Sequence, residues 1–146
     1  MHDLLSFQIL NTKVIFNAQI TKGDDFGNVR GDLTFDRVDI NIGDGFDGSS
    51  GTFKVPVSGI YKMSFSGQSA YFYIDSTPIV VSKNGYVMFF IYDGNEAEKA
   101  DENNVSYTWI MRLVKGDELE LNSENYLHAS GSEPLTFTGE LIHIEN

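Results

Sequence analysis

The chain has no cysteine, which excludes disulfides, thiol nucleophiles and cysteine-based zinc sites. Basic residues are scarce: 10 Lys+Arg stand against 21 Asp+Glu, a net charge of -11. Affinity for nucleic acid comes mainly from Lys and Arg neutralising phosphates, so nucleic acid and anionic membrane surfaces are disfavoured partners. No apolar run approaches the ~20 residues a membrane helix needs, and membrane insertion is not expected. The opening residues Met1-His2-Asp3-Leu4-Leu5 lack a basic stretch followed by an apolar one; if the natural protein is secreted, its signal is expected to have been removed.

What is present is apolar and aromatic. Apolar residues make up 41% of the 146 and aromatics 13%, with 11 Phe and 7 Tyr, enough for one domain to bury a core at this length. We expect residues 1–13 to be a tail or linker and residues 14–146 to be a globular domain. No repeat or Pro/Ser-rich tract divides the chain, and the acidic segment Asp93 to Asn104 reads as a long surface loop.

Periodicity sets the class. In Gly59-Ile-Tyr-Lys-Met-Ser-Phe-Ser66, Tyr61, Met63 and Phe65 fall on one face and Lys62, Ser64 and Ser66 on the other, the pattern of a half-buried strand. Leu119 and Leu121 alternate with Glu118 and Glu120 in the same way. Further strands are expected over Val14 to Ile20, Gly31 to Ile42, Thr52 to Pro56, Ala70 to Ile74, Ile79 to Ser82, Tyr86 to Tyr92, Val105 to Val114 and Phe137 to Ile144. Asn84-Gly85 supplies the residue pair of a type I′ turn, so Ile79–Ser82 and Tyr86–Tyr92 should pair as an antiparallel hairpin. Nowhere does a 3.6-residue period persist, and nine or ten strands without helical crossovers fit a two-sheet antiparallel sandwich or a jelly roll.

A family pattern lies over these strands. Leu33-Thr-Phe-Asp-Arg-Val38, Asn41-Ile-Gly43, Phe46-Asp47, Gly51-Thr-Phe53, Pro56, Gly59-Ile-Tyr61 and Phe65 resemble the signature block of the complement C1q globular head. Downstream, Ser82-Lys-Asn-Gly85, Tyr92-Asp93, Asn103-Asn-Val105, Gly116-Asp117-x-Leu119-x-Leu121 and Phe137-Thr-Gly139-x-Leu141 follow the family order. The match runs roughly from Val14 to Ile144. It implies an all-β, ten-stranded antiparallel jelly-roll sandwich of the C1q and tumour-necrosis-factor type, assembled as a homotrimer. It also implies a secreted recognition protein, not an enzyme, which binds carbohydrate or microbial surface patterns in a lectin-like, innate-immune role. The alternative is a trimeric signalling or extracellular-matrix ligand that engages a protein receptor. The collagen stem of many vertebrate relatives is absent from this chain.

Phe16, Phe65, Phe89, Trp109 and Phe137 are candidates for the trimer seam or for the chain's own core. Asp93 matches a position some relatives use for calcium, an ion that takes six to eight oxygen ligands. The partner carboxylate would follow Asn103-Asn-Val105, where this chain has Ser106; Asp101 or Glu102 could substitute, and a solvated acidic loop is the plainer alternative. Tyr126 and His128, within an expected loop from Tyr126 to Glu133, and Asn125 just before it are candidate ligand contacts, as are the loops at Asp44 to Ser50 and Asp93 to Asn104.

Other motifs carry less. Gly43-Asp-Gly45-Phe-Asp-Gly48 matches G-x-G-x-x-G, yet no helix is expected after it and its two aspartates would repel a pyrophosphate. The only histidines are His2, His128 and His143, too few and too scattered to suggest a nucleophile–base pair. Asn104-Val-Ser106 is a glycosylation sequon, meaningful only on a secretory route.

Overall fold

The computed structural model describes residues 11–69, 79–92 and 104–146. Eleven antiparallel strands lie in them: β1 (Ile15–Ile20), β2 (Asn28–Asp32), β3 (Arg37–Ile42), β4 (Phe46–Asp47), β5 (Thr52–Lys54), β6 (Gly59–Ser69), β7 (Ile79–Lys83), β8 (Tyr86–Ile91), β9 (Asn104–Leu113), β10 (Glu118–His128) and β11 (Leu135–Ile144). No helix occurs among the described residues. The expected strand at Ala70 to Ile74 lies outside them.

The pairings give two layers. One runs β3-β1-β11-β6-β9; in the other, β10 pairs with β7, β5 and β2, while β8 extends β7 and β4 extends β5. The layers join where β6 touches β10 at Leu127–Ser69 and His128–Gln68. The antiparallel sandwich is thus as expected; among the described residues Gly31 to Ile42 divides into two strands and the two-residue β4 is added.

Between the layers lies an aromatic core. Phe16 stacks on Phe46 with centroids 4.6 Å apart and meets Phe137 edge-on at 5.0 Å, and Phe53 meets Tyr61 edge-on at 5.6 Å. Such pairs add about 0.5–1.5 kcal/mol each beyond their burial. Room for Phe16 comes from Gly139, where a Cβ would stand 2.3 Å from the Phe16 ring.

Two motifs of the sequence acquire physical reasons. The Asn41 carboxamide donates to the Phe46 carbonyl (2.9 Å) and accepts from the Phe46 amide (3.1 Å), closing the Asn-x-Gly turn. In Pro56-x-x-Gly-x-Tyr61, the Tyr61 hydroxyl donates back to the Val57 carbonyl at 2.6 Å. The β7–β8 hairpin forms as expected, with φ of 54° at Asn84 and 83° at Gly85.

Two segments depart from expectation. Gly31 to Ile42 is two strands, since the chain leaves β10 in one layer and reaches β1 in the other. In the crossing, Leu33 and Phe35 are buried and donate their amides to the Leu121 and Gly48 carbonyls, so alternation persists without a ladder. β10 continues to His128, through polar residues read as loop. Pairing with β2 supports it there, and Ser123 is buried with its hydroxyl donated to the Asn125 carbonyl at 2.6 Å.

Candidate functional site

The outward face of the β3-β1-β11-β6-β9 layer follows from the register. One cross-strand row reads Ile40, Asn17, Thr138, Ser64, Thr108, and the next Arg37, Gln19, Thr136, Ser66, Ser106. A third reads Ile42, Ile15, Glu140, Lys62, Ile110 and contains one carboxylate opposite one amine. On a chain of net charge -11, these three rows hold one carboxylate, Glu140, against two cations, Lys62 and Arg37. The hydroxyls of this five-stranded face serve one another, as Ser64 does with Thr138, and Ile40, Ile42 and Ile110 at its margins are 41%, 49% and 64% exposed. Depletion of carboxylates with a retained apolar margin is what distinguishes an interface core from ordinary surface.

Beside this face, β8 and β9 are edge strands of the two layers among the described residues. Phe89 meets Trp109 edge-on with centroids 5.3 Å apart, and Tyr107 stacks on Trp109 at 5.8 Å. Tyr107 within that cluster and Val87, Met88, Phe90 and Tyr92 outside it are all exposed. Of the five aromatics offered by the sequence for core or seam, Phe16, Phe65 and Phe137 are fully buried in the chain's own core, Trp109 is 8% exposed at the edge and Phe89 is half-buried beside it. Single-sequence reasoning missed the hydroxyl and amide face, because each strand showed only an ordinary polar side; register was needed to place the rows together.

A second grouping sits at the end of β10. Tyr126 and His128, two residues apart, take the same side of the strand; both are half-buried. Arg30 of β2 lies over the Tyr126 ring, 5.2 Å from its centroid, a cation–π arrangement, and its Nε donates to the Glu124 carbonyl. His128 packs over Gly27, where a Cβ would approach its Cε1 to 2.6 Å. Asn125 falls in an irregularity of the β10–β2 register and its carboxamide oxygen accepts from the Tyr126 amide at 2.8 Å. His128 is therefore a strand residue, not a loop residue as expected, because the β2 pairing extends to Asn28.

Just before β2, the Asp24 carboxylate accepts hydrogen bonds from the Asn28 and Phe26 amides, each 2.9 Å, which hold its pKa below the usual carboxylate value. The turn so fixed presents Phe26, 81% exposed. Neither Arg30 nor Phe26 carried a signal in the sequence, since both owe their position to the path of β2.

Asp93, Asp101 and Glu102 lie outside the described residues. Ser106 is exposed on β9 opposite Ser66 and offers a neutral hydroxyl. The described residues alone do not complete a calcium site.

Comparison with known proteins places the chain. The family model of the C1q domain matches residues 15–142. The chain is 32% identical over 118 residues to the mouse complement C1q tumor necrosis factor-related protein 3, covering 80% of this chain and 47% of that one. It thus spans about half the length of that relative. Among solved structures, the globular domain of zebrafish complement 1qA superposes with a TM-score of 0.67 at 18% identity, covering 90% of this chain and 99% of that one. Murine APRIL superposes with a TM-score of 0.65 at 12% identity, covering 89% and 99%. Strand order, motif spacing and these matches agree, and the chain belongs to the C1q-domain family.

Proposed function

We propose that the protein is a secreted, homotrimeric, non-catalytic recognition protein whose copies associate through the carboxylate-poor five-stranded face and the neighbouring aromatic edge. The carboxylate-poor rows around Asn17, Thr138 and Ser64 on a chain of net charge -11 carry this reading. Copies of an acidic protein repel one another, and association is least opposed where the carboxylates are few.

In that trimer the end of β10 is the ligand site, with Tyr126, His128 and Asn125 helped by Arg30. Aromatic rings and amides suit the apolar faces and hydroxyls of sugars. Three copies would turn weak single-site affinity into avidity of a hundredfold or more. Calcium is part of the proposal, with Asp93, Asp101 and Glu102 supplying carboxylate oxygens and Ser106 a neutral neighbour. A glycan array probed with the assembled protein, with and without calcium, tests the lectin reading. Binding to a defined glycan class that Tyr126→Ala abolishes supports it, and silence across sialylated, mannosylated and bacterial glycans contradicts it.

The second reading, a trimeric signalling or matrix ligand for a protein receptor, draws on Phe26. An aromatic side chain left 81% exposed on a turn fixed by Asp24 suits an apolar receptor pocket better than a sugar. Silence on the array together with receptor-type binding lost in Phe26→Ser would favour it.

A further inference from the structure

We propose that the ligand site at the end of β10 selects sugars that carry a carboxylate, and that Arg30 is the group that binds it. The inference rests on the lectin reading above and adds to it a ligand class.

The chain sets 10 Lys+Arg against 21 Asp+Glu. Two of its arginines are spent on its own acids: Arg37 is bonded to Asp39 at 2.8 Å and Arg112 to Glu145 at 2.6 Å, each through Nε. Arg30, the remaining arginine, has no ion-pair partner among the described residues.

Arg30 is held in place nonetheless. Its guanidinium lies over the Tyr126 ring, 5.2 Å from the centroid, and its Nε donates to the Glu124 carbonyl at 3.2 Å. An arginine carries its N–H donors in a rigid planar fork. The ring and the carbonyl orient that plane and use the Nε–H, which leaves the two terminal nitrogens. Their paired N–H groups match the two oxygens of a carboxylate, in hydrogen bonds roughly twice as strong as neutral ones. A cation already held in one orientation loses less freedom when a ligand arrives.

The carboxylates nearest in the fold are committed elsewhere. Asp24 accepts from the Phe26 and Asn28 amides, and Asp32, two residues beyond Arg30 on β2, accepts from the Asn122 carboxamide at 2.8 Å. A sugar suits the surroundings better than a bare anion. The register sets Asn28 opposite His128 and Val29 opposite Leu127. Leu127 is buried, so Asn28 and Arg30 of β2 fall with Tyr126 and His128 of β10 on the side away from the core. An amide and an imidazole beside the guanidinium offer donors and acceptors to hydroxyls, which an inorganic anion lacks.

The test is biolayer interferometry of the full chain over immobilised sialyllactose, its methyl ester and lactose, wild type beside Arg30→Gln and Lys115→Gln. Melting temperatures show that each variant is folded. Wild type should bind sialyllactose about tenfold or more tighter than the ester or lactose, the worth of a hydrogen bond to a charged group. Arg30→Gln should reduce sialyllactose to the level of lactose. Lys115→Gln removes the same charge from an exposed turn and should keep the preference. Equal binding of acid and ester by wild type, or a preference that survives in Arg30→Gln, overturns the role of Arg30 and leaves the lectin reading standing. So does an immobilised acetylated Glu-Glu dipeptide that binds as tightly as sialyllactose, which would give the fork to a protein partner. A wild type silent on all three sugars overturns the proposal, and silence across the wider glycan array overturns the lectin reading with it.

Discussion

The rings of Phe89 on β8 and Trp109 on β9 meet edge-on, 5.3 Å between centroids and 83° between planes, although their strands share no ladder. This contact links an edge strand of one layer to an edge strand of the other. Trp109, 8% exposed, is the larger half of it. Trp109→Ala is expected to cost about 3–5 kcal/mol, the usual range for truncating a buried Trp. Urea unfolding of the variant at fixed protein concentration checks this, and a loss below about 1 kcal/mol would show that the edge contact is not structural.

Tyr61 gives a pH dependence. Burial pushes its phenol up to about 12. Its folded pKa lies above the unfolded value near 10, so the protonated form is favoured by folding. The stability Tyr61 contributes is complete below about pH 10 and is lost as pH rises towards 12. Thermal melts between pH 9 and pH 12 should fall more steeply for wild type than for Tyr61→Phe, which cannot ionise; parallel curves would refute this.

Gly139 offers a third check. A Cβ there stands 2.3 Å from Phe16 Cε2, and Phe16 is at the centre of the aromatic core, so the ring cannot move aside freely. Gly139→Ala should destabilise by about 1–3 kcal/mol, as overpacking does. Chemical denaturation measures it, and Phe16→Leu in the same chain should recover part of the loss.

The strands that alternate strongly were legible from sequence, as with Tyr61, Met63 and Phe65 on β6, because one face is buried and the other is not. The Asn84-Gly85 turn was legible for its backbone requirement. Leu33 and Phe35 imitate a strand because a segment crossing between layers also buries alternate side chains. Asn122 to His128 were obscured by their polarity, since their pairing is made by the backbone and Ser123 hides its hydroxyl locally. The carboxylate-poor face was invisible because it is a property of five strands in register, in which Asn17 and Thr138 become neighbours across 121 positions of sequence, 138 minus 17.

Calcium should raise the melting temperature relative to chelator only when supplied at about millimolar concentration, since affinity rises with the number of charged ligands and Ser106 contributes none. Ser106→Asp should lower the concentration that gives half the shift by about tenfold, in the range over which ligand charge tunes such sites. Equal melting in calcium and chelator for both proteins would remove calcium from the proposal.

Association through the carboxylate-poor five-stranded face is the central claim, and sedimentation equilibrium of the full chain across a hundredfold range of concentration tests it most directly. A homotrimer built on the rows around Asn17, Thr138 and Ser64 requires one dominant species of three times the chain mass at micromolar concentration. A stable monomer throughout that range would contradict it.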